Sequence, residues 1–207
     1  MSLTVTELEK LKSILIHMAK NIKYILYTTK KLMEVNDDSE REKTWQEIEN
    51  ISANLEVLRR EFVNEVLVFI ARRQPLGREL LIANALISIA YDMYRISRYC
   101  REIARIDSIL PQTSKLNTIK DLQKIFIEAI KAVEASLEDL IDFIPKRLNI
   151  VKEVDNNIDE IYREVLREIT TNPIIPREKA VKALIMRHIE RIVDHAQYIE
   201  QYLSTIP

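Results

Sequence analysis

Two pairs of carboxylates near the C-terminal end have a spacing that coordination chemistry can use. Glu190 and Asp194 are four residues apart, and so are Asp155 and Asp159. In a helix that interval stacks both side chains on one face. If the two segments are helices packed side by side, the four carboxylates meet. Four like charges repel unless a cation sits among them. An all-oxygen donor set suits hard or borderline cations such as magnesium, calcium, manganese or iron, singly or as a carboxylate-bridged cluster. The plainer alternative is a solvated face whose acids pair with Arg187 and Arg191, which stand close enough to do so. Glu190 and Asp194 fall roughly opposite the apolar stripe of their own segment and are expected to point outward. Glu138 and Asp142 repeat the four-residue interval and read as surface charge.

Other residues with chemical potential are scattered. His188 and His195 lie one heptad apart, off the carboxylate face, and read as structural or surface groups; His17 is isolated. Cys100 is the only cysteine, so no disulfide forms within the chain and no thiolate cluster can build a zinc site. Its register places it in a core as a buried, inert thiol. Arg95, Arg98, Arg101 and Arg105 form a basic strip. It is expected to be a solvated face with salt bridges to Glu102 and Asp107, with an anion or an acidic partner surface as the alternative.

The elements that must position these groups are helices. Apolar residues recur at steps of three and four through Leu8, Leu11, Leu15, Met18, Ile22, Ile25 and Leu32, and again through Ile48, Ile51, Leu55, Leu58, Phe62, Val66 and Phe69. Pro75-Leu76-Gly77 breaks the second run. A third stripe reads Ile82, Leu86, Ile89, Met93, Ile96, Cys100 and Ile103. The fourth starts about Ile119 and runs to Ile144, where Pro145 ends or kinks it. The fifth runs from Val151 to Ile169, and the sixth from Ile185 to Leu203 after Asn172-Pro173 and Pro176. No segment alternates with period two for long enough to argue a strand.

The third and sixth stripes superimpose on a shift of 96 residues, with Ile89 on Ile185, Met93 on Ile189, Ile96 on Ile192, Cys100 on Ala196 and Ile103 on Ile199. Arg95 falls on Arg191. The chain therefore reads as a repeated unit of three long helices. Short connections make neighbouring helices antiparallel. The expected fold is all-α, two tandem antiparallel three-helix bundles over residues 1–110 and 111–207.

Composition narrows the function. The 207 residues carry 31 basic and 32 acidic side chains, a net charge of −1, with 47% hydrophobic and 30% charged residues. Near-neutral charge lends no support to a general nucleic-acid role. Gly77 is the only glycine, where average usage would give roughly 14. Dinucleotide fingerprints, phosphate-binding loops and nucleophile elbows need two or more glycines at fixed spacing, so none is present. Leu80 to Tyr91 is the longest uncharged stretch, far short of the roughly 18 residues a membrane span needs. Leu80, Ile87 and Tyr91 fall opposite the core stripe there, a face for the other bundle or a second subunit, hence an expected homodimer. A reducing, cytoplasmic compartment fits this composition.

The turn Ala71-Arg72-Arg73-Gln74-Pro75-Leu76-Gly77-Arg78-Glu79-Leu80 resembles that between the second and third helices of PhoU proteins, regulators of phosphate uptake. Arg187-His188-Ile189-Glu190-Arg191-Ile192-Val193-Asp194-His195-Ala196 is similar to the signature of that family's last helix, and Val154-Asp155-Asn156-Asn157-Ile158-Asp159 to the companion motif on the helix before it. The resemblance implies a non-enzymatic regulator at the cytoplasmic side of a phosphate ABC transporter, with a phosphate-sensing kinase pathway as a further partner. It implies a metal ion or multinuclear cluster held by Asp155, Asp159, Glu190 and Asp194, with iron first and zinc, manganese or magnesium as alternatives.

The first half departs from the pattern. Tyr94 and Arg98 occupy the places of Glu190 and Asp194, and Ser52 and Glu56 those of the partner helix. An arginine in a ligand position repels a cation, so this half is expected to hold no metal. A metal-free helical adaptor, binding through the basic strip or the apolar face of the third helix, is the alternative reading. A carboxylate-bridged di-iron enzyme is disfavoured, since none of the three histidines has an acid three positions earlier.

Overall fold

The computed structural model describes residues 5–206, with side chains from residue 10 onward; Leu8, the first residue of the first stripe, lies outside the described side chains. Six helices make the fold: α1 (Val5–Leu32), α2 (Asp38–Arg73), α3 (Arg78–Ile109), α4 (Leu122–Asp142), α5 (Leu148–Thr171) and α6 (Arg177–Thr205). No strand is present among the described residues. None of these helices is long and apolar enough to cross a membrane.

Local chemistry sets the ends. Asp37 caps α2, its side chain accepting from the Glu40 backbone N–H, which satisfies one of the orphan donors at a helix start. At the other end Gln74 turns left-handed (φ 46°) and Gly77 follows at φ 59°, a region that glycine enters without a Cβ clash. The fourth stripe is read from Ile119, but α4 starts at Leu122. Two 3₁₀ turns, Gln112–Ser114 and Leu116–Thr118, come first. They are held by Asp107, which accepts from the Leu116 N–H, while Ile119 itself is buried. Before Pro145 is reached, α4 ends at Asp142, where left-handed Phe143 caps it by donating to the Asp139 and Leu140 carbonyls.

Each three-helix unit packs internally. The two units then join chiefly through α3 and α6, with α1 and α4 touching behind them. The result is a row α2, α3, α6, α5 backed by α1 and α4. The superimposed stripe is the centre of the molecule: Ile89, Met93, Ile96, Cys100 and Ile103, with Ile185, Ile189, Ile192, Ala196 and Ile199, are all fully buried. They belong to one continuous core that spans both units. Burying each large side chain contributes about 1.5–3 kcal/mol relative to leaving it in water. Cys100 lies in this core, its thiol pushed up to about 12 by burial.

Asp107 is not a partner of the basic strip. It is buried and pairs with Arg41 at 2.7 Å, while Arg41 also donates to the Leu32 and Val35 carbonyls. Lys115 donates to its backbone oxygen. The α1–α2 turn, the end of α3 and the inter-bundle connector thus meet on one carboxylate.

Candidate metal centre

The short turn between α5 and α6 sets the two helices antiparallel, and the four carboxylates face the groove they share. Gln197 on α6 donates to Asp155 at 3.0 Å. Burial, reinforced by Asp194 and Asp159 nearby, pushes Asp155 up to about 6. Burial likewise raises Glu190, with Asp194 adding to it, and raises Asp194, with Arg191 opposing. Repulsion of this kind means that the four groups share one electrostatic environment.

Glu190 does not point outward. Only 9% of it is exposed, and Asp194 is half-buried. The reason is packing: α6 touches α3, α4 and α5 at once, so flanks beside its isoleucine stripe are covered as well.

Arginines neutralise the groove as it stands. Arg187 donates to both oxygens of Glu190 at 2.7 and 2.8 Å, Arg191 reaches Asp194 at 2.7 Å and Glu190 at 3.6 Å, and Arg163 reaches Asp159 at 3.1 Å. Among the described residues, no three His, Cys, Asp or Glu side chains are gathered about a common point as a metal cage. Four carboxylates from two adjacent helices are nevertheless the kind of donor set a hard cation takes, and Asp155 among them is raised by burial first and by Asp194 and Asp159 second. Glu138 and Asp142 stay apart at the surface, paired with Arg147 and Lys146.

In the first unit the equivalent groove holds a fixed cation of its own. Ser52 meets Ser97 at 3.3 Å in the interior. Arg98 sits among Tyr94, Glu102 and Glu56, which hold its charge, and Arg59 lies 5.4 Å over the Tyr94 ring. Along the strip Arg98 reaches Glu102 at 3.7 Å, Arg101 reaches Glu49 at 3.8 Å, and Arg105 reaches Glu49 and Glu102 at 2.9 and 3.3 Å. Arg95 pairs with no carboxylate among the described residues.

Two groups of polar residues escaped sequence reasoning. At the α3–α6 seam His195 is buried against Asp92 and stacks on Tyr99, with His188 on the same ring. The shift of 96 held the signal: it puts His188 on Asp92 and His195 on Tyr99. In the second unit Glu200 and Asp139 are both fully buried, Asp139 bonded to Arg147 and Glu200 with neither oxygen hydrogen-bonded. Their positions in the apolar periodicity left no polar signal to read.

The chain is similar to proteins of one family. A family model described as the PhoU domain matches residues 10–106. A homologue of the phosphate-specific transport system accessory protein PhoU from Archaeoglobus fulgidus is 32% identical over 149 residues, covering 72% of this chain and 69% of its own. Another from Synechocystis is 24% identical over 167 residues, covering 77% and 72%. Among solved structures, PhoU from Pseudomonas aeruginosa superimposes with a TM-score of 0.79 at 20% identity over 97% of each chain. The phosphate transport system regulatory protein PhoU from Streptococcus pneumoniae does so at 0.81 and 16%, covering 97% of this chain and 95% of its own.

Proposed function

Because this chain belongs to the PhoU family, we propose that it is a cytoplasmic regulator of phosphate uptake, an accessory to a phosphate-specific ABC transporter that restrains import and acts on a phosphate-sensing kinase pathway. Its role is regulatory rather than catalytic, in line with the names its relatives carry. The observation that carries the site is the α5–α6 groove, where burial first and neighbouring carboxylates second raise Asp155 and Glu190, with Asp194 and Asp159 beside them. These four would hold a metal ion or cluster, iron first, with zinc, manganese or magnesium as alternatives. A bound cation would supply charge neutralisation and cross-link the two helices.

Elemental analysis tests this reading. Metal at one or more ions per chain in the untagged protein, lost in a Glu190→Ala, Asp194→Ala double variant, supports it. A chain that stays metal-free after reconstitution overturns the metal and leaves the adaptor reading. One observation favours that second reading: Arg187, Arg191 and Arg163 already engage three of the carboxylates. Co-purification with the transporter subunits tests the partner under either reading. The exposed Leu80, Leu81 and Tyr91 on α3 are the proposed contact for a homodimer, which light scattering would detect.

A further inference from the structure

A cleft of about 300 Å³ opens where the start of α2, the end of α3 and the inter-bundle connector meet, with Asp38, Arg41, Glu42, Trp45, Asp107 and Lys115 in its walls. Small-molecule sites have volumes of about 300–1,000 Å³. Two of the charges in these walls satisfy each other, since Arg41 is paired with Asp107. Three do not. Lys115 is only 8% exposed, and the Asp107 backbone oxygen at 2.7 Å is its one hydrogen-bond partner among the described residues. An ammonium carries three donors, so two N–H groups of a buried cation go unused. A cation taken out of water with only a carbonyl for company is costly unless an anion completes it.

Asp38 and Glu42 have the opposite deficit. Their four-residue interval puts both on one face of α2, and both are exposed at the mouth of the cleft. Neither has a hydrogen bond or an ion pair among the described residues. Between these acids and the buried ammonium stands Trp45, half-buried against the core, as an apolar wall. The unmet groups of the cleft are therefore one ammonium in its depth and two carboxylates at its rim.

We propose that this cleft binds a free α-amino acid with a cationic side chain, its carboxylate on Lys115, its two cationic groups on Asp38 and Glu42, and its aliphatic stem against Trp45. A simple anion does not match, because the two rim acids repel it. A simple diamine does not match either, because Lys115 repels it. The site is independent of the carboxylate groove, since none of its residues lies on α5 or α6.

Trp45 is the only tryptophan in the chain, so its fluorescence reports on this cleft. Titration of the full chain with L-lysine should give a saturable change, with calorimetry on the same samples giving the same affinity. Cadaverine, which keeps the stem and both amines and lacks the carboxylate, should bind about tenfold more weakly, the loss of a charge-assisted hydrogen bond. Lys115→Met should weaken L-lysine by a similar factor. Glu42→Gln, a change on an exposed side chain, should weaken it about twofold to fivefold. If Lys115→Met shifts the melting curve, cadaverine and Glu42→Gln decide. No saturable binding of L-lysine, cadaverine binding as tightly as L-lysine, or affinity unchanged in both variants overturns the proposal.

Discussion

The Nδ1 of His195 and the Oδ1 of Asp92 lie 2.7 Å apart, although 103 residues separate them in the chain. Both are buried, and the bond crosses the seam that joins the two three-helix units. Edge and face contacts from Tyr91, Tyr99 and Tyr198 surround the imidazole. Replacing Asp92 with alanine strands a buried polar group, at a cost of about 1–3 kcal/mol. A chain of this size should then melt about 2–4 °C lower for each kcal/mol lost. His195→Phe, which removes the polar partner and keeps a ring, should lower the midpoint by a similar amount because Asp92 is then the stranded group.

Arg41→Ala should be among the most damaging single changes. It leaves the Asp107 carboxylate buried with the Leu116 N–H as its donor, since Lys115 donates to the Asp107 backbone oxygen. Breaking such a pair on one side costs about 3–5 kcal/mol. Urea unfolding would show the midpoint falling with an unchanged slope, and a midpoint within experimental error of the parent would contradict the role assigned to this pair.

Stability should fall as pH rises from the weakly acidic to the weakly basic range. Glu200 is pushed up to about 8 by burial first and by the charge of Asp139 second, against a usual value of 4.5. The folded chain therefore holds a proton that the unfolded chain releases, and the stabilisation is complete below about 4.5 and lost as pH climbs through 8. Urea midpoints measured across that window should decline and then level off. Glu200→Gln, a neutral mimic of the protonated acid, should flatten the decline; an unaltered slope would exclude Glu200 as its source.

Metal uptake in the α5–α6 groove should carry its own pH signature. Burial and the neighbouring Asp194 and Asp159 push Asp155 up to about 6, so a proton competes with any cation below that value. Iron or manganese retained after dialysis should be greater at pH 7.5 than at pH 5.

Residues 1–110 and 111–207 each contain three helices, yet the core runs through both and α3 lies on α6. Expressed apart, the fragments expose the α3 and α6 faces that pack on each other in the whole chain. Mixed together they should reassociate into a one-to-one complex on size exclusion, and two stable, non-interacting monomers would contradict the shared core.

Helix number, the apolar stripes and their 96-residue repeat were written in the sequence, because helical burial imposes a period of three to four residues that survives without knowledge of neighbours. The breaks at Pro75-Leu76-Gly77 and Pro145 were legible for the same reason: each acts on its own backbone. The pairing of Asp155 and Asp159 with Glu190 and Asp194 on adjacent helices was legible as spacing. What those carboxylates touch was not. Glu190 lost its expected exposure because α6 packs against three helices, and a stripe read from one chain segment assumes a single covered face. The Asp92–His195 bond and the buried Glu200–Asp139 pair depend on which helices lie side by side. Contacts across a seam join residues about a hundred positions apart, and only tertiary packing brings them within hydrogen-bond range.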